Sequence, residues 1–521
     1  MSTQKPEASL TAIGKYFSAV EENIKNHGEN TVVFMLIGDF YEIYVKYNKN
    51  TDTYYGSNLW EIRDILQCQR ITETKKTKLG NGDVLKMWGV PQSAIEDKKT
   101  ALIKNNFNIV LYDQRKDEKG KVIERYLSEV VTPGTYIPKD DSLIELTSNN
   151  ITSIIFKEFT VGGLKRIGYG YANFDVLTGH TRVFDGVTEN NIVDHTTLND
   201  IEHYLISNNP KELLIITNMN DDAYEKIKKA VGLVDFHIKK FNMNDEKTKN
   251  CFKPEYIKKT IETVYKNSEY FSEFEFCELA TSSLCFLIDY VNIYSPLALI
   301  KITDPEVIDN DRMILANHTH QQLNIIPDIS NNKGKLSCVL SSLNNCITTI
   351  GKRNFKYQLL NPTKNIDKLN KDYNIIEHIL NNSDLIYNIR NSLKNIYDTE
   401  YLLRKITNNK YFCIDLFKMY KSMHALKSIR DLYLNNDNYF SNYINSFIEE
   451  DILNSKLDIF LNDVESKLKI NDCDVTDIRI DDINIIKPNY SKEFDESRNQ
   501  YNKNIRLVQS IINEVNHFLK T

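Results

Sequence analysis

Gly38-Asp39-Phe40-Tyr41-Glu42-Ile43-Tyr44 is the stretch that decides how this chain is read. Before it, Asn30 to Ile37 is an apolar run rich in β-branched side chains, as a buried strand requires. Gly38-Asp39 breaks the run with a turn signal. Phe40 to Tyr47 then alternates with the period of a second strand. Residues two apart on a strand share a face. Tyr41, Ile43 and Val45 therefore form an apolar face directed at a core, while Phe40, Glu42 and Lys46 share the opposite face with Tyr44. A ring and a carboxylate are thus presented together beside a glycine turn, and two readings follow. In the first, the ring is a minor-groove wedge that stacks on a base and kinks the duplex, at a cost of roughly a few kcal/mol. A mispaired step opens more easily than a paired one, so such a wedge selects by deformability. A carboxylate is repelled by phosphates, but it can accept a hydrogen bond from a base NH exposed by mispairing. In the second reading, Phe40 packs under a loop as part of an ordinary half-buried strand.

Working outward, the segment to about residue 140 reads as mixed α/β. Asn58 to Leu66 is a short helix, Ala94 to Asn105 a second, and Phe107 to Tyr112 a strand, with Pro133-Gly134 as the closing turn. From 141 to 270, three strand-like runs come first: Ser153 to Phe159, Arg166 to Val176 and His180 to Phe184. Gly162-Gly163 and Thr178-Gly179 punctuate them as hairpins. Helix and strand then alternate through Leu198 to Ser207, Glu212 to Thr217, Ala223 to Val231 and Val234 to Lys239, which is a three-layer α/β pattern with a meander start. From 271 to 480 the chain is helical. Phe276, Leu279, Ala280, Leu284, Leu287, Ile288 and Val291 recur at helical spacing, as do Ile366, Leu369, Tyr373, Ile376 and Leu380 after Pro362. From 481, a short strand at Ile483 to Ile486 precedes an amphipathic helix with Ile505, Val508, Ile512, Val515 and Leu519 on one face.

A chain of 521 residues has room for roughly three or four such domains. No run of about 18 apolar residues occurs, and the nearest candidate, Leu284 to Ile288, is interrupted by Asp289, so no membrane span is expected. Met1 to Leu10 carries no secretory signal pattern, and a soluble protein of the cytoplasm or nucleus is expected. The net charge of -6 means that any nucleic-acid contact rests on local patches. The eight cysteines form no Cys-x-x-Cys pair; Cys277 and Cys285 fit core positions, and reduced thiols are expected. His318 and His320 have no further ligand at metal-site spacing, so no metal is expected.

Several stretches resemble the MutS family of DNA mismatch-repair proteins. Phe40-Tyr41-Glu42 after Gly38-Asp39 is similar to the Phe-x-Glu hallmark of its mismatch-recognition domain. Gly89-Val90-Pro91-Gln92-Ser93-Ala94 and Val131-Thr132-Pro133-Gly134-Thr135 follow in the family's order. Tyr169-Gly170-Tyr171-Ala172, Asp175 and Thr178-Gly179 resemble the connector-domain hairpin. Gly351-Lys352-Arg353 through Leu359-Leu360-Asn361-Pro362 resembles a core-domain helix, and Ile485, Pro488, Tyr490 and Phe494-Asp495 resemble the start of the DNA clamp. Each piece alone is weak; in order along nearly the whole chain they are specific. The resemblance implies a mixed α/β mismatch-recognition domain over 1–140, a ribonuclease-H-like connector over 141–270, a long-helix core or lever domain over 271–480, and the start of a clamp over 481–521. It implies Phe40 as the stacking wedge and Glu42 as the base hydrogen-bonder. The partners it implies are double-stranded DNA with mismatches or small loops, a second subunit, and downstream repair proteins.

Lys75, Lys76 and Lys78, and Lys503 and Arg506 on the last helix, are candidate contacts to the DNA backbone, although such lysine runs are also ordinary solvated surface. The family is a DNA-dependent ATPase, but no Gly-x-x-x-x-Gly-Lys-Ser/Thr loop occurs here. No cofactor is expected for this chain; ATP and magnesium would belong to an ATPase domain outside it, and the chain reads as a fragment or a truncated product. A non-catalytic scaffold or decoy is an alternative. A ribonuclease-H-like nuclease would need several carboxylates around a metal pair, and the connector strands offer Glu158 and Asp175. Relatives that act in recombination generally lack the Phe-x-Glu that is present here.

Overall fold

The computed structural model describes residues 12–68, 71–73, 83–117, 120–138, 148–190, 192–193, 197–233, 236–266, 277–308, 312–315, 319–327, 334, 336–433, 438–449, 452–474 and 485–518. They fall into two compact units, one built from 1–344, 353–364 and 403–410, the other from 345–352, 365–402 and 411–521. The architecture is mixed α/β with sheets in the N-terminal part and helices thereafter.

The first sheet contains β1 (Thr31–Ile37), β2 (Phe40–Asn48), β3 (Thr53–Gly56), β4 (Thr72–Glu73), β5 (Asp83–Pro91), β6 (Asn108–Lys116) and β7 (Val122–Val131). Its order is β4-β5-β2-β1-β6-β7, with β3 also paired to β2. β1 and β2 form an antiparallel hairpin with Ile37 opposite Phe40, so Gly38-Asp39 is a two-residue turn, and Gly38 takes a φ of 67° that suits glycine. β1 and β6 are parallel, which requires a crossover; α2 (Ile95–Lys104) supplies it after α1 (Ala12–His27) has opened the segment.

The two helices cover opposite faces. α1 buries Tyr16, Phe17 and Val20, and the Tyr16 ring meets Tyr44 edge-on with centroids 5.3 Å apart. α2 buries Ile95, Leu102 and Ile103 on the side of Tyr41, Ile43 and Val45. The sequence reading assigned no element to 12–27, and this helix corrects the expectation for Tyr44. Tyr44 has the same parity as Phe40 and Glu42, yet it is buried because α1 lies on that half of the face. The expected helix at 58–66 is helical only over Leu59–Ile62, and the strands β5 and β7 were not read from the sequence.

The second sheet is built from β8 (Asn150–Val161), β9 (Leu164–Asp175), β10 (Thr181–Val187), β11 (Glu212–Thr217), β12 (Ile238–Asn242) and β13 (Glu306–Val307), in the order β12-β11-β8-β9-β10-β13. β8, β9 and β10 form an antiparallel meander, and β11 and β12 continue parallel to β8 on its other side. An antiparallel three-strand meander extended by two parallel strands next to its first strand is the ribonuclease-H-like topology. α3 (Asn199–Asn208) and α4 (Asp221–Ala230) pack on the face of Ile154, Tyr169, Tyr171 and Ile215. After α5 (Pro254–Tyr265), α6 (Glu278–Tyr294) covers the other face; the sequence reading placed this helix at the head of the helical segment. It comes close because β9 presents only hydrogen at Gly170, where an added Cβ would lie 2.2 Å from the Leu279 carbonyl carbon. Ser283 Oγ donates to the Ser153 carbonyl at 2.8 Å.

Further along the first unit, buried Arg404 donates to the carbonyls of Val176, Ala298 and Ile300. A buried chain of side chains joins His320, His203 and Asn361: His320 Nε2 lies 3.1 Å from His203 Nδ1, and His203 Nε2 lies 2.9 Å from Asn361 Oδ1. α7 (Thr349–Leu360) and α10 (Thr399–Thr407) are divided between the two units, and α8 (Ile366–Leu380) and α9 (Ser383–Leu393) belong to the second. In the second unit, α11 (Cys413–Tyr433), α12 (Asn438–Asn445) and α13 (Leu457–Lys467) precede α14 (Lys492–Phe518). A small core there holds Cys413, Ile470 and Cys473, with Phe417, Val464 and Ile485 against it. Of the expected strand at 483–486, Ile486 makes one bridge to Leu468, and 483–484 lie outside the described residues.

Candidate nucleic-acid interface

β2 enters the sheet at Phe40, directly after the turn. Its burial alternates where the period of two says it should: Tyr41, Ile43 and Val45 are in the core, and Phe40 is 47% exposed. Phe40 at the hairpin corner thus leaves about half of its apolar surface outside the fold, free for a partner. Pro91 stands opposite Phe40 on β5 and Gly89 opposite Glu42. A Cβ at Gly89 would lie 3.3 Å from Glu42 Cγ and 3.7 Å from Phe40 Cβ, so the missing side chain keeps the flank of both residues clear.

Glu42 is half-buried and accepts a hydrogen bond at Oε2 from the Tyr44 hydroxyl. Burial raises its carboxyl above the ordinary range, and the Tyr44 hydroxyl and the Arg125 cation oppose that rise. Arg125 stands on β7 opposite Gln114 of β6, and by the sheet registers both share the face of Phe40 and Glu42. Gln114 Nε2 donates to the Gly38 carbonyl at 2.5 Å, which ties β6 to the turn. Arg125 Nε and Gln114 Oε1 are buried polar atoms without a partner among the described residues. Leu127, also of this face, is 49% exposed. The open half of the sheet thus presents a ring, a carboxylate, a guanidinium and an amide side by side. Sequence reasoning missed Arg125 and Gln114 because their strands, or the parts that hold them, were not recognised. Behind this half, on the core side, Tyr41 donates to Asp113 Oδ1 at 2.5 Å, and Trp88 pairs with Ile43. At the far end of β2, Tyr47, Tyr54 and Trp60 stack in series, with Lys86 over Tyr47 and Trp60.

The family model for MutS domain I matches residues 20–140, and that for MutS domain III matches residues 318–520. The chain belongs to the MutS family. A putative DNA mismatch repair protein mutS homologue of Acanthamoeba polyphaga mimivirus is 26% identical over 96% of this chain and 46% of its own length. Proteins called DNA mismatch repair protein MutS from Acholeplasma laidlawii and Clostridioides difficile are 23% and 24% identical, each over 94% of this chain. The chain spans about half the length of these curated relatives.

The other MutS-like stretches have structural roles that their residue types explain. Val131-Thr132-Pro133-Gly134-Thr135 is the turn that leaves the first sheet, and it closes on Glu212 at the start of β11. The fully buried Glu212 accepts from the Thr132 hydroxyl at 2.5 Å, the Gly134 N–H at 3.1 Å, the Tyr290 hydroxyl at 3.0 Å and Lys239 Nζ at 2.7 Å. Burial works to raise its carboxyl, but Lys239 and the hydroxyl donors outweigh it, and the net shift is downward. Gly134 is required, since a Cβ there would lie 2.6 Å from Ile151 Cγ1. Asp175 of the connector-like hairpin is buried and accepts from the Asn149 and Leu177 N–H groups and the Thr178 hydroxyl. Lys75, Lys76 and Lys78 lie outside the described residues. Lys503 and Arg506 are exposed on α14 of the second unit.

Proposed function

We propose that this MutS-family chain carries the mismatch-reading part of a DNA mismatch-repair protein, with Phe40 as the wedge and Glu42 as the acceptor for an exposed base NH. The observation that carries this reading is the position of Phe40: a large apolar ring, 47% exposed, held at a rigid hairpin corner beside a half-buried carboxylate. A rigid strand end suits a wedge, because the ring is ordered before it meets DNA and little entropy is lost on insertion. Inserted between base steps, the ring stacks on one base and bends the duplex away from it. The Tyr44 hydroxyl holds one side of Glu42, leaving the carboxylate orientated for the displaced base. Arg125 and Gln114 on the same face are suited to the phosphates flanking the kink. Lys75, Lys76, Lys78, Lys503 and Arg506 are proposed as further backbone contacts. Dimerisation, downstream repair partners, and ATP with magnesium belong to the proposed whole protein.

The nuclease alternative has poor geometric support. Asp175 pairs with Asn150 at one end of β8, and Glu158 lies eight residues along that strand. At roughly 3.3 Å per residue the two are on the order of 26 Å apart, too far to share a metal pair. Asp175 is also committed to its turn, and Glu158 pairs with Lys165.

Competition binding with G·T and matched duplexes tests the proposal. Phe40→Ala should abolish the preference for G·T while leaving the thermal unfolding midpoint nearly unchanged. A preference that survives the substitution would end the wedge reading.

A further inference from the structure

We propose that Cys251, Cys285 and Asp289 form a binding site for a thiophilic divalent cation, zinc foremost, that clamps the turn after β12 onto α6. Cys251 sits in the short 3-10 turn Lys249–Phe252, and Cys285 and Asp289 are four residues apart on α6 and so share one helix face. Both cysteines are fully buried, and Asp289 is half-buried. One ligand atom from each residue lies within 4.8 Å of the other two. Cys251 Sγ is 3.5 Å from Asp289 Oδ2. A tetrahedral zinc with sulfur at about 2.3 Å and oxygen at about 2.0 Å separates those two ligands by about 3.5 Å. The Cys251–Asp289 edge therefore already has the length of an edge of a zinc tetrahedron, and the Cys285 ligand atom lies within 4.8 Å of both.

The surroundings point the same way. The Tyr256 hydroxyl donates to Asp289 Oδ2 at 3.0 Å, the kind of outer hydrogen bond that orients a ligating carboxylate. Among the described residues, Asp289 forms no ion pair with Lys or Arg. The neighbouring Cys285 thiol and burial push the Cys251 thiol upward, and burial raises Asp289. Three acidic groups are thus gathered where none has a cation, and a divalent ion would let them ionise together. Two thiolates and one carboxylate favour zinc over magnesium or calcium, which prefer oxygen alone. Three protein ligands leave a fourth position, at the partly exposed Asp289 side, for water. On binding, each coordinated thiol releases its proton to solvent, with no change of oxidation state. This runs against the expectation from sequence, where no spacing in the chain joined Cys251 to Cys285.

Cobalt titration of the full 521-residue chain, reduced and stripped with chelator, is the test. One equivalent should produce a thiolate-to-cobalt charge-transfer band and tetrahedral d–d bands, both abolished by zinc. Cys251→Ser and Asp289→Asn should each weaken binding at least about tenfold. Cys277→Ser, outside the cluster, should leave the titration unchanged. Circular dichroism of each variant separates lost ligation from lost fold, and zinc should raise the unfolding midpoint of the wild type but not of Cys251→Ser. Absence of the bands in the reduced wild type, or bands in folded Cys251→Ser that appear with wild-type affinity, would overturn the proposal. So would a Cys251–Cys285 disulfide that forms readily while the reduced protein takes up no metal.

Discussion

At Phe40 the ring belongs either to the fold or to a ligand, and its exposure makes the two separable. Phe40→Ala is expected to change folding stability by no more than about 1 kcal/mol, as at a surface site. A core phenylalanine would cost roughly 3–5 kcal/mol, so chemical denaturation of the variant distinguishes the two roles. Discrimination should vanish in the same variant, since stacking worth roughly 1–3 kcal/mol per base is lost. Glu42→Ala should behave differently: matched DNA should bind as well or better, because a charge that repels phosphates is gone, while discrimination falls. Tighter discrimination in Glu42→Ala would contradict the base-acceptor role. Phe40 and Glu42 were legible because strict alternation after Gly38-Asp39 assigns each residue to a face. Arg125 was not legible. β7 pairs with β6 through register shifts at Leu111/Tyr112 and Arg115/Lys116, and these break the period that reveals a strand. The cysteine–aspartate cluster was hidden for a different reason: its members are brought together by the packing of α6, which no local spacing encodes.

At the scale of elements, the junction between the first sheet and the connector rests on one buried carboxylate. Glu212→Gln removes the charge that Lys239 and the donors of the Val131–Thr135 turn are arranged around. Breaking such a buried pair typically costs about 3–5 kcal/mol. Glu306→Gln, which breaks the more exposed pair with Arg182, should cost less than about 1 kcal/mol. Urea unfolding of both variants checks the contrast, and equal losses would refute the assignment of Glu212 as the junction's anchor. The His203–His320 contact carries a pH signature. Burial pulls His320 down to about 4 and also lowers His203. An unfolded histidine titrates near 6.5. Between those values the unfolded chain takes up protons that the folded chain refuses, so stability is full above about pH 6.5 and falls as the pH drops toward 4. His320→Gln should flatten that loss relative to wild type in unfolding midpoints from pH 7.5 to 4.5; parallel profiles would show that the pair does not titrate in this window. The helices that cover each sheet differed in how visible they were. α6 was evident from its apolar repeat. α1 offered Phe17, Val20 and Ile24 at helical spacing but was not recognised, and Tyr44 was misjudged because its cover was missing.

For the molecule as a whole, residues 1–140 carry 20 Lys and Arg against 19 Asp and Glu, so no broad positive field draws in DNA. Binding by this chain should therefore be weak and should fall steeply between low and moderate salt, as counterion release requires. Nanomolar affinity that is insensitive to salt would contradict that. We propose that this chain does not turn over ATP, a reading supported by the absence of a Gly-x-x-x-x-Gly-Lys-Ser/Thr stretch from its sequence. Phosphate release by the purified protein that is lost on substituting its own residues would refute this. One feature of the composition makes these experiments simple to read. The chain has two tryptophans, Trp60 in the short helix Leu59–Ile62, stacked against the far end of β2, and Trp88 on β5, so both belong to the first sheet and the helices packed on it. Ultraviolet emission excited at indole therefore comes from the segment that holds the first sheet, and everything from β8 onward is dark. Trp88 lies on the strand next to Phe40, so a duplex seated at the ring should change the emission without any attached dye. In denaturant, a fluorescence midpoint that differs from the far-ultraviolet circular dichroism midpoint would show the first sheet melting on its own schedule.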